Sequence, residues 1–106
     1  MDNISKVYRI EQGYKYVEED WWKWWVWIEG EENELDEIDY VVYTLHSTFA
    51  NPVRKIEDRS TKFKLKTEGW GVFTIYAKLY LKNKSEITLA HDLYLEYPDG
   101  ESNLDS

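Results

Sequence analysis

The stretch Phe73–Leu81, FTIYAKLYL, decides how the rest of the chain is read. Phe73, Ile75, Ala77, Leu79 and Leu81 fall on every second position, while Thr74, Tyr76, Lys78 and Tyr80 occupy the positions between. A period of two is that of a strand with one buried and one wet face; a helix would repeat near 3.6. Working outward, ITLAHDLYLEY (Ile87–Tyr97) places Ile87, Leu89, His91, Leu93, Leu95 and Tyr97 in one row. Upstream, YVVYTLH aligns Val41, Tyr43 and Leu45.

Turn-forming Gly, Asn, Asp and Pro divide the chain into further runs of this kind. We expect strands at Ser5–Val17, Trp22–Glu29, Ile38–His46, Thr61–Thr67, Val72–Leu81 and Ile87–Tyr97, with a short edge piece at Val53–Asp58. Their β-branched and aromatic residues suit a half-buried pleated surface. About seven short strands, each with one apolar face, predict a two-sheet antiparallel β-sandwich. The domain is expected over 4–97, followed by a polar tail at 98–106 (PDGESNLDS).

Five of the six tryptophans crowd into DWWKWWVWIEG, Asp20–Gly30, more than one strand face can bury. Trp22, Trp24, Val26 and Ile28 share a face, and Trp21, Trp25 and Trp27 share the other. Trp24, Val26 and Ile28 are expected in the core. Trp25 and Trp27 are expected on the outer face, as a possible interaction surface or as an aromatic cluster covered by lysine stems. Beyond them, EGEENELDEID packs seven carboxylates into eleven residues without the spacing of an EF-hand, and reads as a solvated acidic loop.

Bulk composition excludes several classes. The chain has 106 residues, enough for one domain, and 42% hydrophobic content, enough for a core. It has no cysteine, so thiolate metal sites and disulfides are excluded, and a reducing, cytoplasmic setting is expected. The charged N-terminus does not resemble a signal peptide, and no apolar run approaches the roughly 20 residues of a membrane span. A net charge of −8 disfavours nucleic acid and anionic membranes, and suits a basic partner.

No enzyme is expected. No nucleophile elbow, P-loop or dinucleotide fingerprint is present, and two histidines, His46 and His91, are too few for an ordinary zinc centre. His91 and Asp92 are strand neighbours on opposite faces, so they do not form a dyad. His91 is expected half-buried, satisfied by backbone or by a tyrosine hydroxyl. Neither metal nor cofactor is expected. Two loops remain: LHSTFANPVR (Leu45–Arg54), and TEGWGVF (Thr67–Phe73), where Gly69 and Gly71 flank Trp70.

Three motifs occur in order: W-x-V-x-I-x-G at Trp24–Gly30, V-x-Y-x-L-H-x-T-F-x-N-P-V-R at Val41–Arg54, and G-W-G-x-F at Gly69–Phe73. Together they resemble the YEATS domain, and WKWWVWIEG, DRST (Asp58–Thr61) and LAHDLYL resemble its prokaryotic branch. The resemblance covers nearly the whole chain and implies an immunoglobulin-like sandwich. It also implies a non-catalytic binding module that takes an acylated lysine, acetyl or crotonyl, in a slot built by His46, Thr48, Phe49, Gly69, Trp70 and Gly71. Phe49 and Trp70 would stack on the two faces of the acyl amide. Thr48 would hydrogen-bond the amide, His46 would orient that hydroxyl, and a backbone N–H near Trp70 would hold the acyl oxygen. The chain departs from the eukaryotic pattern at EDRSTKF, where that pattern has a Pro-Pro-aromatic segment. The prokaryotic branch looks like a sensory or adaptor module of signalling systems, so here an effector would be another polypeptide. The alternatives are a protein-interaction adaptor using Trp25 and Trp27, and, last, a carbohydrate-binding module.

Overall fold

A computed structural model describes residues 7–98. Seven strands form two antiparallel sheets: β1 (Arg9–Glu18), β2 (Trp21–Glu29), β3 (Ile38–Thr44), β4 (Val53–Ile56), β5 (Leu65–Gly69), β6 (Thr74–Leu81) and β7 (Glu86–Asp92). The first sheet runs β1-β2-β5 and the second β4-β3-β6-β7. The sandwich read from the sequence is the fold observed.

The predicted faces hold. Trp24, Val26 and Ile28 from β2, Val41 and Tyr43 from β3, and Ile75, Ala77 and Leu79 from β6 all have no exposed surface. Trp22 joins them in the interior at the β5 end of its strand, opposite Gly69. Tyr43 crosses the core so that its hydroxyl donates to the Phe63 carbonyl at 2.7 Å. Burial drives that phenol's pKa far above its ordinary value, so it stays a donor.

Strand ends differ from expectation, each for a local reason. The strand expected from Thr61 begins only at Leu65, because Lys62 and Phe63 take left-handed φ values of 60° and 59°. Those two are held by Lys62 N–H to Arg59 O and Phe63 N–H to Asp58 O, both 2.9 Å, which close a single 3-10 turn at Arg59–Thr61. The strand expected from Val72 begins at Thr74, and the one expected to His46 stops at Thr44. The last strand ends at Asp92 instead of Tyr97, and 93–97 continues as an irregular strap laid on the β1–β2 hairpin. Trp22 Nε1 donates to Glu96 O, and Tyr16, Trp22 and Tyr97 pack with ring centroids 5.1–5.4 Å apart. That hairpin turns through Glu19 and Asp20 alone, both with positive φ, as a two-residue turn requires even without glycine.

The acidic loop is corrected most. It contains α1 (Glu32–Leu35), one turn whose Leu35 is fully buried. Seven carboxylates outweigh one leucine in composition, but the leucine alone has an apolar gap to fill. The predicted tail, apart from Pro98, and the start of the first predicted strand lie outside the described residues.

Candidate functional site

β3 leaves its sheet at Thr44, and Leu45 N–H donates to Pro52 O at 2.7 Å, so the residues between project as a closed loop. Arg54 Nη2 donates to Ala50 O at 3.1 Å and braces its far side. Within the loop, His46 Nδ1 accepts the Thr48 backbone N–H at 3.2 Å and lies 3.0 Å from Thr48 Oγ1. A backbone N–H can only donate, so Nδ1 carries no proton and the imidazole hydrogen is on Nε2. The Thr48 hydroxyl hydrogen therefore points to Nδ1. Its oxygen keeps lone pairs for an outside N–H.

Phe49 is half-buried over the interior. Its ring centroid lies 6.2 Å from that of Trp24, nearly perpendicular, and 5.4 Å from that of Phe73. Phe73, read as the first member of the β6 apolar row, also meets His46 at 6.1 Å and so serves as floor to the loop. Gly69 ends β5 directly above these rings; a Cβ there would stand 3.8 Å from Phe49 Cζ and 4.0 Å from Trp24 Nε1. Trp24 Nε1, fully buried, has no hydrogen-bond acceptor among the described residues. Beyond Gly69 the chain opens. Trp70 is 71% exposed, and a Cβ on Gly71 would meet nothing within 4 Å.

The result is a cavity of about 830 Å³ at one end of the sandwich, within the range of small-ligand sites. All six residues assigned to the slot line it: His46, Thr48, Phe49, Gly69, Trp70 and Gly71. Sequence reasoning missed Trp21, Ala50, Glu68, Val72 and Phe73 as lining residues. Trp21 Nε1 donates to Glu68 Oε1 at 3.0 Å, tying the start of β2 to the end of β5. The signal was present in part: Trp21 was the tryptophan of its face nearest the hairpin, but only the Trp22–Gly69 register brings it beside the second loop.

Trp25 and Trp27 lie elsewhere, half-buried on the outer face of the first sheet. The Trp25 indole lies over Gly13, where a Cβ would come within 2.4 Å of Trp25 Nε1. Trp27 Nε1 donates to Glu29 Oε1 at 3.0 Å, and Lys64 Nζ stands 5.9 Å from the Trp27 ring centroid. The Trp27 N–H does most to hold the Glu29 carboxyl below the usual carboxylate range; burial, the next largest effect, opposes it, and Lys62 and then Arg9 add to the lowering.

His91 is half-buried, as expected, but its partner is neither backbone nor tyrosine. Its Nε2 lies 2.6 Å from Gln12 Oε1, which also accepts Tyr94 N–H at 3.1 Å. Asp92 faces away and accepts the Thr74 hydroxyl at 2.7 Å. Among the described residues no three His, Cys, Asp or Glu side chains are grouped to hold a metal, and no helix is long and apolar enough to cross a membrane.

A two-sheet sandwich with an aromatic slot between end loops defines a class of small binding domains. Within that class, the family model of the prokaryotic YEATS domain matches residues 22–94, and the chain belongs to the YEATS family. Among solved structures it is similar to the Yaf9 YEATS domain bound to H3K27ac, with 29% identity, a TM-score of 0.66, and 85% of this chain and 70% of that one covered. It is also similar to the Yaf9 YEATS domain recognizing an H3K122suc peptide, with 31% identity, a TM-score of 0.62, and coverage of 83% and 68%. A third is the yeast AF-9 homolog protein Yaf9, at 34% identity and a TM-score of 0.61 over 71% of this chain and 54% of that one. No curated protein sequence matches the chain.

Proposed function

We propose that this domain is a cytoplasmic, non-catalytic reader that takes an acylated lysine side chain between Phe49 and Trp70. One observation carries the reading: beside the aromatic cavity the Thr48 hydroxyl lies 3.0 Å from His46 Nδ1, the nitrogen that accepts the Thr48 backbone N–H, and with its hydrogen directed there the oxygen offers lone pairs to the cavity. An acyl-lysine amide offers one N–H donor, one carbonyl acceptor and a flat apolar body. The N–H donates to Thr48 Oγ1, the carbonyl accepts from a backbone N–H of the Gly69–Gly71 turn, and the flat body stacks on the rings. Acylation removes the ammonium charge, so entry does not strip the hydration of an ion. The two Yaf9 complexes, with acetylated and succinylated H3 peptides, support a peptide partner of this kind.

The test is amide chemical-shift perturbation with acetyl- and crotonyl-lysine peptides against the unmodified peptide. Shifts confined to His46–Phe49 and Gly69–Gly71, and seen only with the acylated peptides, are expected. Thr48→Val, which removes the hydroxyl and keeps the shape, should weaken binding by about 2–12-fold, the net worth of one hydrogen bond. Unmoved amides at millimolar peptide would remove acyl-lysine as the ligand.

A further inference from the structure

Among the described residues, the slot is lined by one formally charged side chain, and it is negative. Of the residues that line the cavity, Glu68 alone carries a charge; the others are aromatic, aliphatic, glycine, threonine and a histidine bonded to that threonine through an unprotonated Nδ1. Among the described residues no lysine or arginine lines the cavity. Glu68 is on β5, one residue before the Gly69–Gly71 turn, and its Oε1 is fixed by the Trp21 indole N–H at 3.0 Å. Lys23 stands directly across from it on β2 but is not among the residues that line the cavity.

We propose that Glu68 makes this slot selective for uncharged acyl groups and against acyl chains that end in a carboxylate. The inference rests on the acyl-lysine reading and assigns the chemical class that reading leaves open. A succinyl chain would bring a second carboxylate into a cavity that offers it no cation and already holds one anion. Like charges at such range repel, and the low-dielectric aromatic walls screen them less than water does. A neutral acyl chain brings no charge to meet that of Glu68 and suits a lining that is mostly aromatic and aliphatic. Glu68 is also a positioning residue, because its acceptor oxygen holds the Trp21 indole against the cavity.

The two roles separate in one variant. Glu68→Gln retains an oxygen to accept the Trp21 N–H but removes the charge. Butyryl- and succinyl-lysine are the matched probes, with the same four-carbon length and differing in the terminal group. Peptides of one sequence carrying either group are titrated against the wild-type domain and Glu68→Gln at low and high salt. The wild type is expected to prefer butyryl by at least about tenfold at low salt, and the preference should shrink at 1 M salt, where the Debye length falls to ~3 Å. Glu68→Gln should strengthen succinyl binding several-fold relative to butyryl. Equal affinities in the wild type, or a preference that survives Glu68→Gln unchanged, overturn this inference alone. Silence toward both peptides overturns the acyl-lysine reading, and this inference with it.

Discussion

The two ends of the sandwich are both made of loops, and they come out opposite. Where β2 passes to β3, Leu35 and Phe63 have no exposed surface, and the Tyr8 hydroxyl donates to Glu34 O at 2.7 Å. Arg59 clamps that loop from below, its guanidinium 2.6 Å from the Glu32 carboxylate and 2.9 Å from that of Asp36. At the other end Trp70 and Val72 are 71% and 62% exposed, and Gly71 stands clear of its neighbours. One end fills its gap with its own side chains and the other leaves a gap of about 830 Å³. Loop composition misleads here: the more charged loop is the structural one, and the more apolar loop is the open one.

The contrast is most severely tested by matched truncations. Leu35→Ala removes a buried side chain from a site with little freedom to collapse, and should cost about 3 kcal/mol of unfolding free energy in urea. Trp70→Ala should stay within about 0.5 kcal/mol of wild type, as surface changes do, while weakening acyl-peptide binding. A Leu35→Ala loss below about 1 kcal/mol would show that the first end is not load-carrying, and the comparison would fail.

Tyr43→Phe comes next. It removes the one hydroxyl that crosses from β3 to the Phe63 carbonyl, leaving that acceptor unpaired in the core. A loss of about 1–3 kcal/mol is expected. Because Phe63 sits in left-handed backbone next to Lys62, amide exchange of Ile28, whose N–H donates to Lys62 O, should quicken in the same variant.

How much of this was legible follows from how local each cause is. The faces of β2, β3 and β6 were readable because alternate positions in a strand are sorted by burial, and that pattern needs no knowledge of the partner strand. Strand ends were not. Lys62 and Phe63 take positive φ without glycine, held by hydrogen bonds to Asp58 and Arg59 that no composition signals. Leu35 was hidden in a run of carboxylates. His46, Thr48, Phe49 and Gly69–Gly71, which line the cavity, were singled out through motifs contained in single loops. Trp21 and Glu68 escaped because their meeting depends on the β2–β5 register, which joins segments 47 residues apart.

The outer face of β2 sharpens the comparison further, since Trp25 and Trp27 belong to neither end. Gly13→Ala places a Cβ where the Trp25 indole now lies, so that ring must swing away. The expected cost is about 1 kcal/mol, at the low end of overpacking because the ring can move toward solvent. Near-UV circular dichroism and indole fluorescence should change with it. Acyl-peptide binding should not, if the slot end works independently of this face.

The smallest expected effect lies at the border of the open end, where the 93–97 strap leaves β7. His91 fastens it through Gln12, which also holds both backbone groups of Tyr94. Half-burial lowers the His91 pKa below its ordinary value, although Asp92 and Glu11 pull it upward. On acidification the unfolded chain therefore takes up this proton before the folded one does. The stability linked to His91 is complete above the ordinary histidine pKa of about 6.5 and declines as pH falls from there toward the lower folded value. His91→Gln, which keeps a donor for Gln12 Oε1, should remove that part of the pH dependence. The difference between the two unfolding curves at pH 7.5 and pH 5 is expected below about 1 kcal/mol, since water screens a half-exposed imidazole. If the wild type instead gained stability relative to His91→Gln on acidification, Asp92 and Glu11 would outweigh burial, and the strap would be an ion-paired latch instead of a packed one.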